Sequence, residues 1–288
     1  MEVIYVNNSN RDTHISNSEP CVIALGFFDG LHLGHQQVIK IAKRVAEEKK
    51  VLLGCMSFFP HPKEVLQKGS KKFQYLMPIA EKQKILKEMG VEKFYIVEFE
   101  RDFASLSPEQ FVHKYLLDFG VKNVVAGFDF RYGSDGRGHM DRMKDDSNGL
   151  LGAIKVGKVE FQGEKISSTL IRRTILSGKM EIIPRYLGSH YQIEGEVSLN
   201  KTTAEIKVKP HFLLPAPGVY EVIISNGKET WEQVVVVAKE QMKFSRSPMT
   251  NSLLMDKQTV RIEWVKSLQS GFLTSLVNRQ ILEGASRS

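Results

Sequence analysis

Short apolar runs alternate with amphipathic stretches over the first half of the chain. Residues 21–26 and 51–58 are continuous apolar runs of strand length, and residues 93–97 and 122–127 repeat the pattern. Between the first two runs, residues 36–49 place apolar side chains at helical spacing. Strands and helices that alternate in this way predict a parallel sheet with helices on its faces, which is the α/β class.

Two further helices are predicted in the same half. Residues 81–89 form a charged amphipathic stretch that ends at Gly90. The sequence Ser107-Pro108-Glu109-Gln110 begins the other helix, because serine caps free N–H groups, proline suits the first helical position and glutamine can complete a capping box.

The pattern changes after about residue 187. Five β-rich segments separated by turn residues follow: residues 191–199, 204–209, 218–225, 230–238 and 258–265. They predict a small antiparallel barrel or sandwich. Apolar positions over residues 267–283 predict a terminal helix.

The charge of the chain narrows the classes of partner. Its 288 residues include 40 Lys+Arg and 33 Asp+Glu, a formal net charge of +7. This moderate excess suits an anionic small substrate, and no dense Lys/Arg stripe points to DNA or RNA. The strongly apolar stretch at residues 234–238 is too short to span a bilayer, and the first 20 residues are polar. We therefore expect a cytoplasmic protein without a membrane partner; the sequence leaves its oligomeric state open.

Two cysteines cannot supply a disulfide framework. Cys21 and Cys55 both lie in apolar runs. Buried reduced thiols are expected there rather than a redox pair.

The first candidate for chemistry is residues 26–35, Gly-Phe-Phe-Asp-Gly-Leu-His-Leu-Gly-His, which follow a predicted strand and open a predicted helix. α/β sheets bind ligands at this place, and a helix N-terminus favours phosphate. Glycines such as Gly26 and Gly34 let backbone approach an anion. His32 and His35 can donate hydrogen bonds to phosphate oxygens. A turn with two surface histidines would have the same sequence, so this segment alone leaves both interpretations open.

The second candidate is residues 166–172, Ile-Ser-Ser-Thr-Leu-Ile-Arg, which again precede a predicted helix. Taken alone, the hydroxyl residues are typical of a plain helix cap. Together with the first segment they indicate a second anion site, in which hydroxyls, helix-terminal N–H groups and Arg172 bind the outer phosphates of a nucleotide.

The pair of segments resembles the nucleotidyltransferase superfamily with the HIGH-type signature. More narrowly, it resembles the FMN adenylyltransferase module of bacterial bifunctional riboflavin kinase/FAD synthetases. Supporting segments occur in the family order over about residues 20–197: residues 57–62 (SFFPHP), Glu81-Lys82, residues 103–109 (FASLSPE), 127–133 (GFDFRYG) and 187–191 (LGSHY). The resemblance implies a Rossmann-like nucleotidyltransferase domain with a parallel sheet over residues 1–186. It further implies a shortened riboflavin-kinase-like antiparallel β-barrel with a C-terminal helix over residues 187–288.

The implied reaction transfers AMP from ATP to FMN, giving FAD and pyrophosphate, with Mg²⁺ assisting; the ligands of the metal are not identified. In this reading His32 and His35 steady the reacting phosphate, and Arg172 completes the catalytic set. The residues implied to bind ATP and its phosphates are Gly26, Phe27, Phe28, Asp29, Gly34, Asp129, Ser167, Ser168 and Thr169. Two roles stay open for Asp29: a position near the metal and a structural turn cap.

An apolar wall is expected for the flat flavin ring. The resemblance places Phe58, Phe59, Pro60, His61 and Pro62 toward the flavin, with Arg131 able to meet a phosphate. For Phe58, packing in the protein core is an equally good interpretation.

The second module departs from the family pattern. In bifunctional relatives, a glycine- and arginine-rich stretch leads into a Gly-Phe-Pro-Thr-Ala-Asn motif that binds ATP and Mg²⁺ for riboflavin phosphorylation. Here residues 191–197 pass directly into Ser198-Leu199-Asn200-Lys201, and the motif does not occur downstream. We therefore expect adenylyl transfer without riboflavin kinase activity.

Three alternatives stay open. A fully bifunctional enzyme would need a substitute phosphate loop within residues 200–209, which contain no glycine. A non-catalytic flavin-nucleotide sensor would have little reason to keep both phosphate segments. A different acceptor, such as a pantetheine or glycerol phosphate, fits the PHP and GFDF segments less well than a flavin does.

Overall fold

The protein is described by a computed structural model that covers residues 1–66, 73–208, 212–238 and 241–268. Contacts divide the chain into two compact units. The first comprises Met1–Phe73 and Ile79–Ile166, and the second comprises Gln74–Pro78 and Ser167–Ser288. Residues 167–186 thus have their contacts with the second unit, and a functional boundary at residues 186/187 stays a prediction.

Eight strands and six helices of the first unit position the site or form its core. The strands are β1 (Glu2–Val6), β2 (Cys21–Leu25), β3 (Leu52–Phe59), β4 (Lys93–Glu98), β5 (Val121–Gly127), β6 (Arg131–Tyr132), β7 (Gly138–His139) and β8 (Gly152–Val156). The helices are α1 (Arg11–Ile15), α2 (Leu33–Lys49), α3 (Pro62–Leu66), α4 (Ile79–Glu88), α5 (Arg101–Ala104) and α6 (Pro108–Val112). A short hairpin of β9 (Glu160–Phe161) and β10 (Glu164–Lys165) follows a further helix, α7 (Met143–Asp146).

A parallel sheet with the strand order β1-β4-β3-β2-β5-β8 forms the centre of this unit. Every residue of β2 is buried, because a central parallel strand is covered on both faces. Helix α2 returns over the sheet with a buried face that consists of Val38, Ile39, Ala42, Val45 and Ala46. The predicted α/β class is confirmed.

The order of strands reverses beside β2. The chain proceeds from β2 outward through β3 and β4, and then crosses back to place β5 on the opposite side of β2. The carboxyl ends of β2 and β5 therefore border a topological switch point, the place where open α/β sheets bind ligands.

Helix α6 begins as its sequence predicts. The side chain of Ser107 accepts the N–H of Gln110, whose side chain accepts the Ser107 N–H, and Pro108 occupies the first turn. After Val112 the helix widens into a π-helical turn at His113–Leu117. That turn buries Tyr115 and Leu116 against the sheet core.

The second unit contains a closed antiparallel barrel. Its strands are β11 (Tyr191–Leu199), β12 (Thr203–Val208), β13 (Gly218–Ser225), β14 (Thr230–Ala238), β15 (Gln241–Ser245) and β16 (Thr259–Leu268). Its helices are α8 (Ser168–Leu176), α9 (Pro184–Leu187) and α10 (Pro248–Leu253). Alternate residues of β11 and β16 point inward, including Tyr191, Ile193, Ile262 and Trp264, and fill the interior.

The predicted barrel is confirmed. Seven strands of the described residues were missed: β1, β8 and β15, and the two-residue strands β6, β7, β9 and β10. β1, β8 and β15 have five residues each. β1 lies within the first 20 residues, which were predicted to be polar; its sequence EVIYV is mostly apolar, so that prediction is wrong there. Ser267 and Leu268 end β16, so they are extended rather than helical. The remainder of the predicted terminal helix lies outside the described residues.

Both cysteines are free and buried, as predicted. Burial raises the pKa of the Cys21 thiol to about 12 and raises that of Cys55 as well. Among the helices of the described residues, none is long and apolar enough to cross a membrane.

Candidate active site

The loop that joins β2 to α2 places two histidines at the switch point. His32 is the N-cap of α2, and its Nδ1 accepts a hydrogen bond from the backbone N–H of His35 at 3.3 Å. The two imidazole rings stack with centroids 3.6 Å apart and planes 18° from parallel. β5, the strand next to β2, leads into the segment that contains Asp129 and Arg131.

Both histidines are held in the neutral form. Burial, and then the positive charge of Lys165, lowers the pKa of His32 from 6.5 to about 4. Burial, then His32, Lys82 and Lys165, lowers the pKa of His35 well below its ordinary value. Since Nδ1 of His32 is an acceptor, the neutral ring carries its proton on Nε2, where it can be donated. The pair therefore offers hydrogen-bond donors without positive charge.

The histidine loop, residues 26–32, has an uncommon backbone. Phe28 (φ 50°) and Leu31 (φ 41°) adopt left-handed conformations, as does Gly30. Such conformations are disfavoured for bulky residues and persist only where surrounding contacts enforce them. The ring of Phe28 is buried edge-on against His35, at 5.3 Å between ring centroids.

Two glycines of the motif lie close against these rings. A Cβ on Gly26 would lie 3.2 Å from the Phe28 ring, and a Cβ on Gly34 would lie 3.1 Å from the His32 ring. A side chain at position 26 would therefore require the Phe28 ring to shift slightly, and one at position 34 would require the same of the His32 ring.

Charged groups surround the histidine pair. Lys165 forms an ion pair with Asp129 and lies over the ring of Phe128, with Nζ 4.6 Å from the centroid. Lys82 of α4 is buried beneath the histidine loop, and its charge interacts with that of Asp29, which is 5% exposed. The charges of Lys82 and Lys165 lower the pKa of His35, and that of Lys165 also lowers the pKa of His32.

An aromatic cavity of about 300 Å³ opens beside the histidine loop. Phe27 of the loop contributes its ring to the wall, 5.3 Å from the ring of Phe58. The other lining residues are Pro62, Leu66, Phe99, Phe103, Ala104, Phe111, Phe130, Arg131, Tyr132, Gly133, Asp135 and Gly136. A planar aromatic ligand with one anionic end fits this chemistry, since the walls are apolar and Arg131 is exposed.

The cavity brings together part of the predicted flavin set. Phe58, Pro62 and Arg131 line it. Phe59, Pro60 and His61 are outside this lining; His61 stacks on Phe73 with ring centroids 3.8 Å apart. The ring of Phe27, a residue predicted to bind ATP, lies in the aromatic wall, and its part in nucleotide binding stays a prediction.

The cavity wall that contains Tyr132 is fixed by a buried carboxylate. The Tyr132 hydroxyl donates to Oδ2 of Asp146 at 2.6 Å, and burial together with this bond raises the pKa of the phenol. Arg142 donates to both carboxylate oxygens of Asp146 and also to Glu109. This network ties the Tyr132 wall to the start of α6.

The second predicted anion segment begins α8 in the second unit. Ser167 is the N-cap, and its Oγ accepts the N–H of Leu170 at 3.2 Å, while Ser168 and Thr169 form the first turn. The Arg172 guanidinium donates to the backbone oxygens of Gln74 and Ser168. The capping interpretation of this segment therefore holds; that it also binds a nucleotide stays a prediction.

The described residues contain no group of three or more His, Cys, Asp or Glu side chains arranged to hold a metal ion. Mg²⁺ commonly uses one or two protein carboxylates and takes its other ligands from substrate phosphates and water. The exposed carboxylate of Asp129, near the histidines, fits that kind of site.

Sequence reasoning missed several residues of the site. Lys82 appeared only within a resemblance segment, although its spacing from Leu86 places it on the buried face of α4, which is an unusual place for a lysine. In the sequence, Phe99, Phe103 and Phe111 look like ordinary residues of a hydrophobic core. Only the packing of separate segments makes them walls of one cavity.

Comparison with known proteins gives concordant results. A family model described as FAD synthetase matches residues 14–170. A bifunctional riboflavin kinase/FMN adenylyltransferase of Bacillus subtilis (strain 168) is 35% identical over 289 residues, covering 94% of this chain and 90% of that protein. An FAD synthetase of Listeria monocytogenes serovar 1/2a (strain ATCC BAA-679 / EGD-e) is 31% identical over 223 residues, covering 77% and 87%.

A solved structure has the same fold over nearly the whole chain. A protein of Streptococcus pneumoniae described as a macrolide-efflux protein superposes with a TM-score of 0.81 at 28% identity, covering 93% of this chain and 100% of that one. The family model spans more than half of this chain, and it includes the histidine loop and the aromatic cavity. This chain belongs to the FAD synthetase family.

Proposed function

We propose that this protein is an FMN adenylyltransferase. A phosphate oxygen of FMN attacks the α-phosphorus of ATP, the bond from that phosphorus to the bridging oxygen breaks, and FAD and pyrophosphate form. The observation that carries the proposal is the junction at Phe27, where an aromatic cavity meets a histidine pair at the switch point. Family membership supports the same reaction.

The histidines act by positioning rather than by covalent chemistry. Phosphoryl-type transfer depends mainly on alignment and on neutralising charge as it moves to the leaving group. Neutral His32 can donate from Nε2 to a phosphate oxygen, and the stacked ring of His35 fixes its orientation. Lys165 adds positive charge nearby.

The cavity accommodates the flavin ring. Phe27, Phe58 and Phe103 offer apolar faces to a flat heterocycle, and Arg131 at the cavity lining can meet the anionic end of FMN. A flavin bound in the cavity would have its phosphate near the histidine loop, because Phe27 belongs both to the cavity wall and to that loop.

The nucleotide is proposed to bind through the α8 segment and a metal ion. Ser167, Ser168, Thr169 and Arg172 supply hydroxyls and a guanidinium suited to β- and γ-phosphates. Mg²⁺, held by substrate phosphates and by a carboxylate such as Asp129, would neutralise phosphate charge.

We further propose that riboflavin kinase activity is absent. β11 and β12 are joined by only Asn200, Lys201 and Thr202, and the N–H of Asn200 donates to the oxygen of Thr203 at 2.8 Å. A tight turn without glycine offers little backbone for cradling phosphates. The 35% identity to a bifunctional enzyme over most of the chain favours the alternative, a kinase that works with another loop.

The reaction needs ATP and a supply of FMN, which supports a location in the cytoplasm. The buried reduced state of Cys21 and Cys55 is in keeping with that compartment.

The decisive experiment separates flavins by chromatography. Purified protein receives Mg²⁺ and ATP with either FMN or riboflavin, and pyrophosphate release is measured in parallel. FAD from FMN with equimolar pyrophosphate, and no FMN from riboflavin, is the expected result. FMN formed from riboflavin would overturn the proposed loss of kinase activity. Flavin bound without any product would overturn the transferase and favour the sensor.

A further inference from the structure

The carbonyl oxygen of Phe27 accepts two hydrogen bonds from buried side chains. Ser57 Oγ on β3 donates at 2.9 Å, and Lys82 Nζ on α4 donates at 3.1 Å. Ser57 is 3% exposed and Lys82 is 9% exposed. Two elements distant in sequence therefore hold one backbone atom of the histidine loop from the interior.

A buried ammonium group requires an explanation. Desolvation disfavours the charged form, and burial does lower the pKa of Lys82. A methionine or leucine would fill the same position on the buried face of α4 without that cost. The hydrogen bond to Phe27 and the proximity of Asp29 are what the lysine gains there.

The held atom lies just before the strained part of the loop. Phe28 and Leu31 have positive φ angles, and such residues relax unless neighbouring contacts over-determine them. The bonds to the Phe27 oxygen fix the backbone at the start of this strain. Further along, Gln36 Nε2 donates to the oxygen of Leu31 at 3.0 Å and fixes its other end.

Phe27 also joins the two halves of the site. Its ring lines the cavity against Phe58, while its backbone leads into the segment that ends at His32. A shift of the Phe27 carbonyl would move the cavity wall relative to the histidine pair. Adenylyl transfer depends on the alignment of two substrates, so such a shift affects rate more than binding.

We propose that Lys82 and Ser57 are positioning residues that clamp the Phe27 carbonyl and thereby hold the histidine pair in register with the flavin cavity. This inference rests on the proposed adenylyltransferase function. The clamp acts on the transition state through the loop, and neither side chain touches substrate.

The test uses the full chain with Lys82→Met and Ser57→Ala. Met preserves the length of the side chain but removes the charge and the donor. The matched controls are Lys84→Met, an exposed lysine on the same helix, and Ser105→Ala, an exposed serine. For each protein, kcat and the KM values for FMN and ATP are measured per flavin-binding site, counted by quenching of FMN fluorescence.

We expect kcat to fall about 10- to 100-fold in both clamp variants, with both KM values within about threefold of wild type. The control variants should retain kcat. Because both donors hold one oxygen, the double variant should be no more than about twice as slow as the slower single variant. The count of flavin-binding sites distinguishes a slower enzyme from a smaller fraction of folded protein. If Lys82→Met does not fold, Ser57→Ala still tests the clamp.

Unchanged kcat in both single variants would overturn the clamp, as would rate losses that multiply in the double variant or KM increases without a loss of kcat. Failure of the wild-type chain to form FAD would instead overturn the proposed function. In that case, the clamp predicts that the Cε1–H NMR signals of His32 and His35 move in Ser57→Ala, which changes no charge, and not in Ser105→Ala. Unmoved signals would overturn the clamp independently of activity.

Discussion

His32 and His35 lie face to face at the start of α2, with ring centroids 3.6 Å apart. Two protonated imidazoles at that separation would repel each other in a poorly solvated site, and the lowered pKa values of both rings agree with a neutral pair. The loop thus presents hydrogen-bond donors in a fixed orientation and leaves positive charge to the neighbouring lysines.

Removal of either ring should slow adenylyl transfer strongly. His32→Ala removes a hydrogen-bond donor to the reacting phosphate, and His35→Ala removes the ring that orients that donor. We expect kcat to fall on the order of 10²–10³-fold, as for an oxyanion-hole donor. Initial rates of FAD formation at saturating FMN and ATP give the measurement. His113→Ala, in the π-helical turn, is the control and should retain activity. A loss below threefold at both positions would contradict a role for the pair.

The neutral histidines predict how stability depends on pH. The pKa of His32 is lowered from 6.5 to about 4, so the folded protein binds fewer protons than the unfolded chain between these values. The stability that this group contributes is complete above about pH 6.5 and is lost as the pH falls through about 4; at 1.36 kcal/mol per pKa unit it amounts to about 3 kcal/mol.

Urea unfolding between pH 7 and pH 4 measures this dependence. His32→Gln should lose part of the slope of unfolding free energy against pH over that interval, because the titrating group is gone. His113→Gln, which removes a histidine outside the site, is the control. An identical slope in wild type and His32→Gln would show that His32 titrates normally.

The bond between Tyr132 and Asp146 should contribute to stability rather than to flavin binding. Tyr132→Phe keeps the ring in the cavity wall but leaves a buried carboxylate oxygen without that donor. We expect the free energy of unfolding to fall by about 1–3 kcal/mol. The Kd for FMN should change by less than about threefold, since the ring is retained.

Denaturant unfolding and FMN fluorescence titration on the same samples give these two values. Tyr5→Phe is the matched control, because Tyr5 is 56% exposed. A large loss of FMN affinity with unchanged stability would show that the Tyr132 hydroxyl contributes to flavin binding rather than to stability.

Filling the aromatic cavity should weaken binding of FMN selectively. Ala104 lines the cavity, and Ala104→Leu adds three carbon atoms inside a space of about 300 Å³. We expect the KM for FMN to rise at least about 10-fold while the KM for ATP changes little, since overlap with a planar ligand is repulsive.

The control for the cavity is Ala80→Leu, at an exposed position of α4. Both variants should unfold near the wild-type temperature. Equal increases of the two KM values in Ala104→Leu, or none, would place the flavin elsewhere.

Much of the first unit follows from local sequence. The apolar run of β2, the helical spacing of Val38, Ala42 and Val45, and the capping box at Ser107 act over a few residues, so the elements form where their patterns predict. The same locality places His32 and His35 on one helix N-terminus, because a cap and the third residue after it always face each other. β1 and β15 escaped prediction because their extended form depends on pairing with β4 and β12.

Tertiary structure decided what those elements do together. The sequence determined a strand–loop–helix with two histidines, an α/β unit and a β-barrel. Only the tertiary arrangement brought Phe27, Phe58, Phe103 and Phe130 from four separate segments into one cavity at the switch point. Burial of Lys82 and the neutrality of the histidines likewise depend on desolvation by residues distant in the chain. A pKa and a cavity are properties of the packed surroundings, which no local pattern specifies.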